Sequence, residues 1–143
     1  MIVENIFENK IFPELKKYVE EKSIYKPTVT KAMPQQSKVF PIVPVKLLPV
    51  TNKYNNLSYG EETYTFGIEI NVYSMASGKT SKRTICNEVT KHAIDCFKNN
   101  YHVTIKTELD ALNTDSNVHR NIIKITGKLD TKYGLDNLVI YPN

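Results

Sequence analysis

The chain lacks the long apolar runs that mark membrane proteins. No stretch approaches the ~20 consecutive apolar residues of a membrane span, and the start of the sequence, M-I-V-E-N-I-F-E-N-K, has no basic region followed by an apolar run. We therefore expect a soluble protein without a secretory signal, made and used in a cytoplasm.

Cysteine is also scarce, since the chain has only Cys86 and Cys96. Both fall in one predicted helix, where their separation is roughly 15 Å at ~1.5 Å per residue. That distance exceeds the reach of a disulfide, so we expect two reduced thiols.

What is present is typical of one globular domain. The 143 residues, 41% hydrophobic and 24% charged, suffice for one core. The formal net charge of +4 is a mild excess that DNA binding could use but does not require. We predict a single domain over residues 1–143, with an N-terminal helix (1–22), a proline-rich arm and loop (23–60) and a strand-helix-three-strand core (61–143).

The clearest pattern is a strand over residues 63–73. Apolar side chains occur there at every second position, at Tyr64, Phe66, Ile68, Ile70 and Val72. This is the period of a strand buried on one face, and we predict that it lies centrally in its sheet. Gly67 indicates a bend or a close approach of another group.

Three segments precede that strand. Residues 3–22 have apolar side chains at spacings of three and four, which predicts a helix with a cap or break near Pro13. Residues 23–51 hold five of the seven prolines and predict an extended arm or an edge strand, because proline cannot donate to a sheet ladder. Residues 52–60 predict the turn into the central strand.

A helix and three strands follow it. Candidate N-caps at Ser77, Thr80 and Ser81 open a helix that runs to about Asn99. Alternating patterns then predict strands over residues 102–108, 118–129 and 137–141. The order indicates an α+β fold, with a mainly antiparallel sheet of about four to five strands and two helices packed on one face, plus the proline-rich arm.

No motif indicates an enzyme. The segment S-G-K-T-S resembles the end of a phosphate-binding loop, but Tyr73 stands where its first glycine belongs, which favours a capped strand-to-helix turn. Cys86, His92 and Cys96 could suggest a nucleophile or a metal site, yet further ligands are missing, which favours buried thiols and a surface histidine. We predict no catalytic, cofactor-binding or metal-binding residues. Lys79, Lys82 and Arg83 cluster at a helix N-terminus, where cations are unfavourable, which indicates an acidic neighbour or a solvated face.

Four stretches resemble the small tail-completion proteins of long-tailed bacteriophages, the tail terminator and tail-to-head joining family. In order, they are K-V-F-P-I-V-P-V, Y-G-E-E-T-Y-T-F-G-I-E-I-N-V-Y-S, S-G-K-T-S-K-R-T-I-C-N-E-V and V-H-R-N-I-I-K-I-T-G-K-L-D. The similarity covers roughly residues 38–141. Asn121 departs from it, since an aliphatic residue would be more typical there.

The resemblance implies a structural, non-enzymatic virion protein without a cofactor. It implies a homo-oligomer, a hexameric ring that caps the head-proximal end of a tail tube and joins it to the connector or neck proteins. The implied partners are therefore the tube protein, the neck proteins and, in a contractile tail, the sheath, with DNA passing through the ring without specific recognition and with no membrane. The location would be the virion tail or neck, and the host cytoplasm during assembly.

We expect the arm and the loops to carry the assembly contacts. The candidate interface residues are Lys26, Pro27, Thr28, Pro34, Gln35, Lys53, Tyr54, Asn55, Asn56, Lys79, Lys82, Arg83, Asn113, Asp115 and Asn117. The alternatives are another neck or minor capsid role, a small nucleic-acid-binding module using Lys79, Lys82, Arg83 and Arg120 with stacking tyrosines, and a cysteine hydrolase.

Overall fold

The computed structural model describes the backbone of residues 2–31, 39–56, 61–101, 103–130 and 140–141. It describes the side chains of residues 3–31, 39–50, 64–101 and 103–128. The fold is α+β, with helices packed against a mixed sheet.

The N-terminal helix is continuous but irregular. It comprises α1 (Ile2–Ile6), a π-helical turn (Phe7–Ile11) and α2 (Phe12–Lys22). Pro13 has no amide proton to donate to the preceding turn, and the wider π turn directly before α2 accommodates this gap. The helix predicted over residues 3–22 is confirmed, and Pro13 marks an irregular turn within it.

The described residues form seven strands and one further helix. They are β1 (Thr28–Thr30), β2 (Ile42–Leu47), β3 (Thr51–Asn56), β4 (Glu61–Ser74), α3 (Lys82–Asn100), β5 (Thr104–Glu108), β6 (His119–Asp130) and β7 (Ile140–Tyr141). The sheet order is β1-β2-β4-β6-β5, while β3 also pairs with β4 and β7 with β6. The β1–β2 pair is parallel and all other pairs are antiparallel, so the mainly antiparallel sheet of the prediction includes one parallel pair.

Strand β4 is central, as predicted. It pairs with β2 and β3 along one edge and with β6 along the other. Phe66, Ile68, Ile70 and Val72 are buried on the face that the helices cover. Gly67 marks a close approach, because a Cβ there would lie 3.1 Å from Cδ1 of Leu48.

The proline-rich segment supplies β1 and β2. The edge position predicted for the second half of this segment is wrong, because β2 lies between β1 and β4 although it contains Pro44. The register of β2 with β4 is the same on both sides of Pro44, with Ile42 opposite Tyr73 and Val45 opposite Ile70, so one missing amide does not interrupt the pairing. Residues 32–38 lie outside the described residues, so the arm itself stays a prediction.

The turn predicted over residues 52–60 is wrong for its first half. Thr51–Asn56 form β3, antiparallel to the start of β4. Asparagine and lysine are poor strand formers, and here the pairing with the long β4 decides the conformation. Residues 57–60 lie outside the described part of the chain.

Helix α3 and strands β5 and β6 match the predictions closely, and of the strand predicted over residues 137–141 the described residues, Ile140–Tyr141, form β7. Helix α3 buries Ile85, Val89, Ala93, Cys96 and Phe97, and Ser81 caps it by accepting a hydrogen bond from the Thr84 amide at 3.2 Å. The core lies between α2, α3 and the inward faces of β4 and β6. Two helices on one face are therefore confirmed.

One edge of the sheet is closed by side chains. On β1, the Val29 amide donates to Glu20 Oε2 at 3.0 Å, and Lys16 Nζ donates to the Val29 carbonyl at 2.9 Å. Lys16 and Glu20, both on α2, also form an ion pair at 2.8 Å. This pair occupies the backbone groups that an added strand would use. At the opposite edge, β5 pairs with no described strand other than β6.

Candidate assembly surface

The described members of the predicted interface fall in two places. Lys79, Lys82 and Arg83 lie at the start of α3, next to the loop of residues 109–117 that carries Asn113, Asp115 and Asn117. Lys26, Pro27 and Thr28 lie at the start of β1, where Pro27 is buried and Thr28 pairs with Ile42. Pro34 and Gln35 lie outside the described residues. Lys53, Tyr54, Asn55 and Asn56 belong to β3, and their side chains are not among those described.

The turn before α3 is a closed turn and not a phosphate cradle. The Ser77 amide donates to the Thr80 carbonyl at 3.1 Å, and the Thr80 amide donates to the Ser77 carbonyl at 2.9 Å. Gly78 supplies the positive φ of 58° that this turn requires. A phosphate loop needs amides directed at its ligand, and two of these amides are bonded within the turn.

The cations at the start of α3 find their acidic neighbour in the same chain. Arg83 pairs with Asp110 at 3.3 Å, and Lys82 Nζ donates to the Ser116 carbonyl. Asp110 and Ser116 both belong to the region of the 109–117 loop. These contacts join the helix to the loop and partly engage the cations that the sequence marks as a candidate DNA-binding group.

The loop is held to the sheet by backbone and side-chain bonds. The Ala111 amide donates to the Arg120 carbonyl at 2.7 Å, and Arg120 Nη1 donates to the Leu112 carbonyl at 3.0 Å. Within the loop, the Asn117 amide donates to Asp115 Oδ1 at 2.9 Å. Hydrogen bonds therefore hold the backbone of the loop near both of its ends.

A buried polar network anchors the same loop from beneath. Asn121 is fully buried, and its Oδ1 accepts the Asp110 amide at 3.0 Å. Its Nδ2 donates to Asn87 Oδ1 and to Thr90 Oγ1, both at 2.9 Å. The departure from the aliphatic pattern at Asn121 thus has a structural reason, because this side chain links β6, α3 and the loop.

The network also requires a proton on His119 Nε2. The Thr90 hydroxyl donates to the Cys86 carbonyl at 2.7 Å, so it accepts from the Asn121 amide nitrogen. Asn121 Oδ1 therefore faces His119 Nε2, at 3.1 Å, and the histidine nitrogen is the donor. The other ring nitrogen, Nδ1, lies 3.5 Å from Asp110 Oδ1.

The loop presents two leucines outward. Leu109 is 58% exposed and Leu112 is 92% exposed. Beside them lies a cleft of about 420 Å³ between the loop and the start of α3, with Lys82, Arg83, Asp110 and His119 among its lining residues. Because hydrogen bonds hold the backbone of this loop, docking of its leucines costs little backbone entropy, which suits an anchor residue.

Neither cysteine has the environment of a nucleophile. Cys86 Sγ donates to the Val72 carbonyl at 3.2 Å, and burial raises the pKa of its thiol to about 11. Burial likewise raises the pKa of Cys96 to about 11. Reactive cysteines have lowered pKa values. His92 is half-buried and pairs with Glu88 at 2.6 Å. Among the described residues, no group of three or more His, Cys, Asp and Glu side chains is placed to hold a metal ion.

Comparison with known proteins adds no family. Neither the models of known protein families nor the curated protein sequences contain a match to this chain. Within the part of the chain that the structure describes, the helices are all too short or too polar to cross a membrane.

The sequence indicated the start of α3 and the 109–117 loop as candidate surfaces, but it did not indicate the buried polar side chains that join them. Asn87, Thr90, His119 and Asn121 were not among the candidates. The available signal was a buried-strand pattern interrupted by one asparagine, since a polar residue in such a run must find partners.

Proposed function

We propose that this chain is the subunit of a ring that caps the head-proximal end of a phage tail tube and joins it to the neck. The resemblance described above motivates the proposal. The observation that best supports it is the loop of residues 109–117, which is anchored by the buried Asn121 and exposes Leu112.

The differences between surfaces of the subunit also support a ring. A ring of identical subunits needs two different surfaces that complement one another, because each contact is head-to-tail. The β1 edge is closed by Lys16 and Glu20, whereas the 109–117 loop lies at the end of the sheet where α3 begins. The chain therefore offers distinct surfaces rather than one self-complementary patch.

The test replaces Leu112 by aspartate. Leu112→Asp changes a side chain that is 92% exposed, so the subunit should fold normally. We expect assembly to weaken at least about tenfold, because a charge in a desolvated anchor position costs more than 1.4 kcal/mol. Asn99→Asp is the matched control, since it also adds one negative charge at an exposed position but lies near the end of α3, outside the arm and the loops.

Mass by light scattering and electron microscopy of tail tubes assembled without this protein are the measurements. A ring, or a stoichiometric cap at one tube end, that forms with Asn99→Asp and fails with Leu112→Asp supports the proposal. Equal assembly of both variants removes the loop from the interface. If the wild-type chain does not bind to tail tubes, the proposed capping function is contradicted, and another neck role or the nucleic-acid-binding module is favoured.

A further inference from the structure

The face of the sheet turned away from the helices carries a surface that the sequence does not reveal. On β4, Glu69 and Asn71 alternate with the buried core residues, and on β6 the same holds for Arg120, Lys124 and Lys128. Helices α2 and α3 lie on the opposite face. We call this surface the open sheet face.

Strand register places charged side chains in one row across the open sheet face. Lys46 on β2 lies opposite Glu69 on β4, Glu69 lies opposite Lys124 on β6, and Lys124 lies opposite Lys106 on β5. Neighbouring strands are ~4.8 Å apart, so the row is roughly 14 Å wide. These residues are far apart in the sequence and only the fold brings them together.

Lys106 and Lys124 are an unfavourable pair. They lie directly opposite each other, both are exposed, and within the described part of the chain neither has a carboxylate at ion-pair distance. Like charges in directly opposed positions destabilise a sheet. An anionic partner would relieve this repulsion.

The charge of the open sheet face is predominantly positive. Among the described side chains its cations are Lys46, Lys106, Arg120, Lys124 and Lys128, and its carboxylates are Glu69 and Glu108. Threonines at positions 65, 104 and 126 add hydroxyl donors between the cations.

The face suits a polyanion better than a folded protein. Protein interfaces are centred on desolvated apolar or aromatic anchors. Here Ile42 and Pro44, which lie on the same face of β2 as Lys46, are buried, and Ile122 is half-buried. The Arg120 guanidinium lies over the Tyr73 ring at 5.6 Å from its centroid. A flat cationic surface instead matches duplex DNA, which presents one negative charge per ~1.7 Å of its axis.

We propose that the open sheet face binds the phosphate backbone of duplex DNA without reading its sequence. The described lysines of this face, Lys46, Lys106, Lys124 and Lys128, contact phosphate oxygens, whereas the Arg120 guanidinium is engaged by Asn71 Oδ1 and by the Leu112 carbonyl. No helix on this face among the described elements is placed to enter a groove. The site differs from the cluster at the start of α3, where Lys82 and Arg83 are engaged by the 109–117 loop. The proposal goes beyond the ring function and does not require it.

The experiment measures binding of the full chain to a fluorescein-labelled duplex of about 30 base pairs by anisotropy, between about 25 and 200 mM salt. Lys106→Gln/Lys124→Gln is the test variant. Lys17→Gln/Lys91→Gln is the matched control, because Lys17 and Lys91 are exposed lysines on α2 and α3. Both variants lose the same formal charge. A poly-glutamate of matched length is the competitor.

We expect the test variant to bind DNA more weakly than the wild type at low salt. The slope of the logarithm of the association constant against the logarithm of the salt concentration should become shallower by about two, since each lysine releases about one counterion. The control should keep the wild-type slope. Equal slopes for the two double variants would overturn the proposal. So would an absence of DNA binding at about 25 mM salt, or binding to poly-glutamate but not to DNA, which would assign the face to an acidic protein. Ring assembly by the test variant is read separately, so that either proposal can fail alone.

Discussion

At the scale of single residues, Asn121 is the centre of the buried polar network. It satisfies the Asp110 amide, His119, Asn87 and Thr90 from a fully buried position. Asn121→Leu would leave buried donors unpaired, and we expect the free energy of unfolding to fall by roughly 3 kcal/mol. Urea denaturation measures this change.

Asn117→Leu is the control for that substitution. Asn117 lies in the same loop but is exposed, so its replacement should change the free energy of unfolding by less than about 0.5 kcal/mol. Faster hydrogen exchange of the Asp110 amide in Asn121→Leu, but not in Asn117→Leu, would show that the loop has lost its anchor. Similar stability for both variants would contradict the role assigned to the network.

The two buried thiols make the free energy of unfolding fall at alkaline pH. The pKa of Cys86 and of Cys96 is raised by burial from 9.0 to about 11. The folded state therefore holds these protons to higher pH than the unfolded state does. The stabilisation is present below pH 9 and is lost as the pH rises from 9 to 11.

We expect the free energy of unfolding to fall over that interval by roughly 2 kcal/mol for each thiol. Urea denaturation of the wild type and of Cys86→Ala/Cys96→Ala at matched pH values separates the thiols from other alkaline groups. The double variant should be less stable at neutral pH but should lose less stability on going to alkaline pH. A parallel loss in both proteins would contradict the burial argument.

At the scale of elements, helix α2 both covers the core and closes an edge of the sheet. Glu20 accepts the Val29 amide, and Lys16 donates to the Val29 carbonyl. Glu20→Ala leaves that amide without its partner, so we expect a loss of about 1–2 kcal/mol in the free energy of unfolding. Glu21→Ala is the control, because Glu21 is adjacent and exposed. Hydrogen exchange at Val29 should accelerate only in Glu20→Ala, and unchanged exchange would contradict this role.

The elements predicted best are those whose own sequence carries a strong period. Strand β4 and helix α3 were predicted to within a few residues because each buries one face and has a regular apolar pattern. Strand β3 was missed because T-N-K-Y-N-N has little strand propensity and depends on pairing with β4. The parallel pairing of β1 with β2 was also missed, since register between distant segments is a tertiary property.

At the scale of the whole molecule, the candidate surfaces were only partly predictable. Lys79, Lys82 and Arg83 are close in sequence, and their grouping at the start of α3 follows from one helix boundary. The row from Lys46 to Lys106 spans four strands and exists only through their register. Surfaces made by local sequence can thus be inferred from a pattern, whereas surfaces made by strand order need the fold.

The closed edge at β1 has a consequence for uncontrolled association. A β-structured fibre propagates when every copy both accepts and offers an edge strand. Where the sheet has the strand order β1-β2-β4-β6-β5, its two edges are β1 and β5. Lys16 and Glu20 occupy the outward backbone groups of Val29 in β1, whereas β5 pairs with no described strand other than β6. A second copy therefore cannot extend the sheet by pairing its β1 with this β5, so fibres built by joining β1 to β5 are blocked.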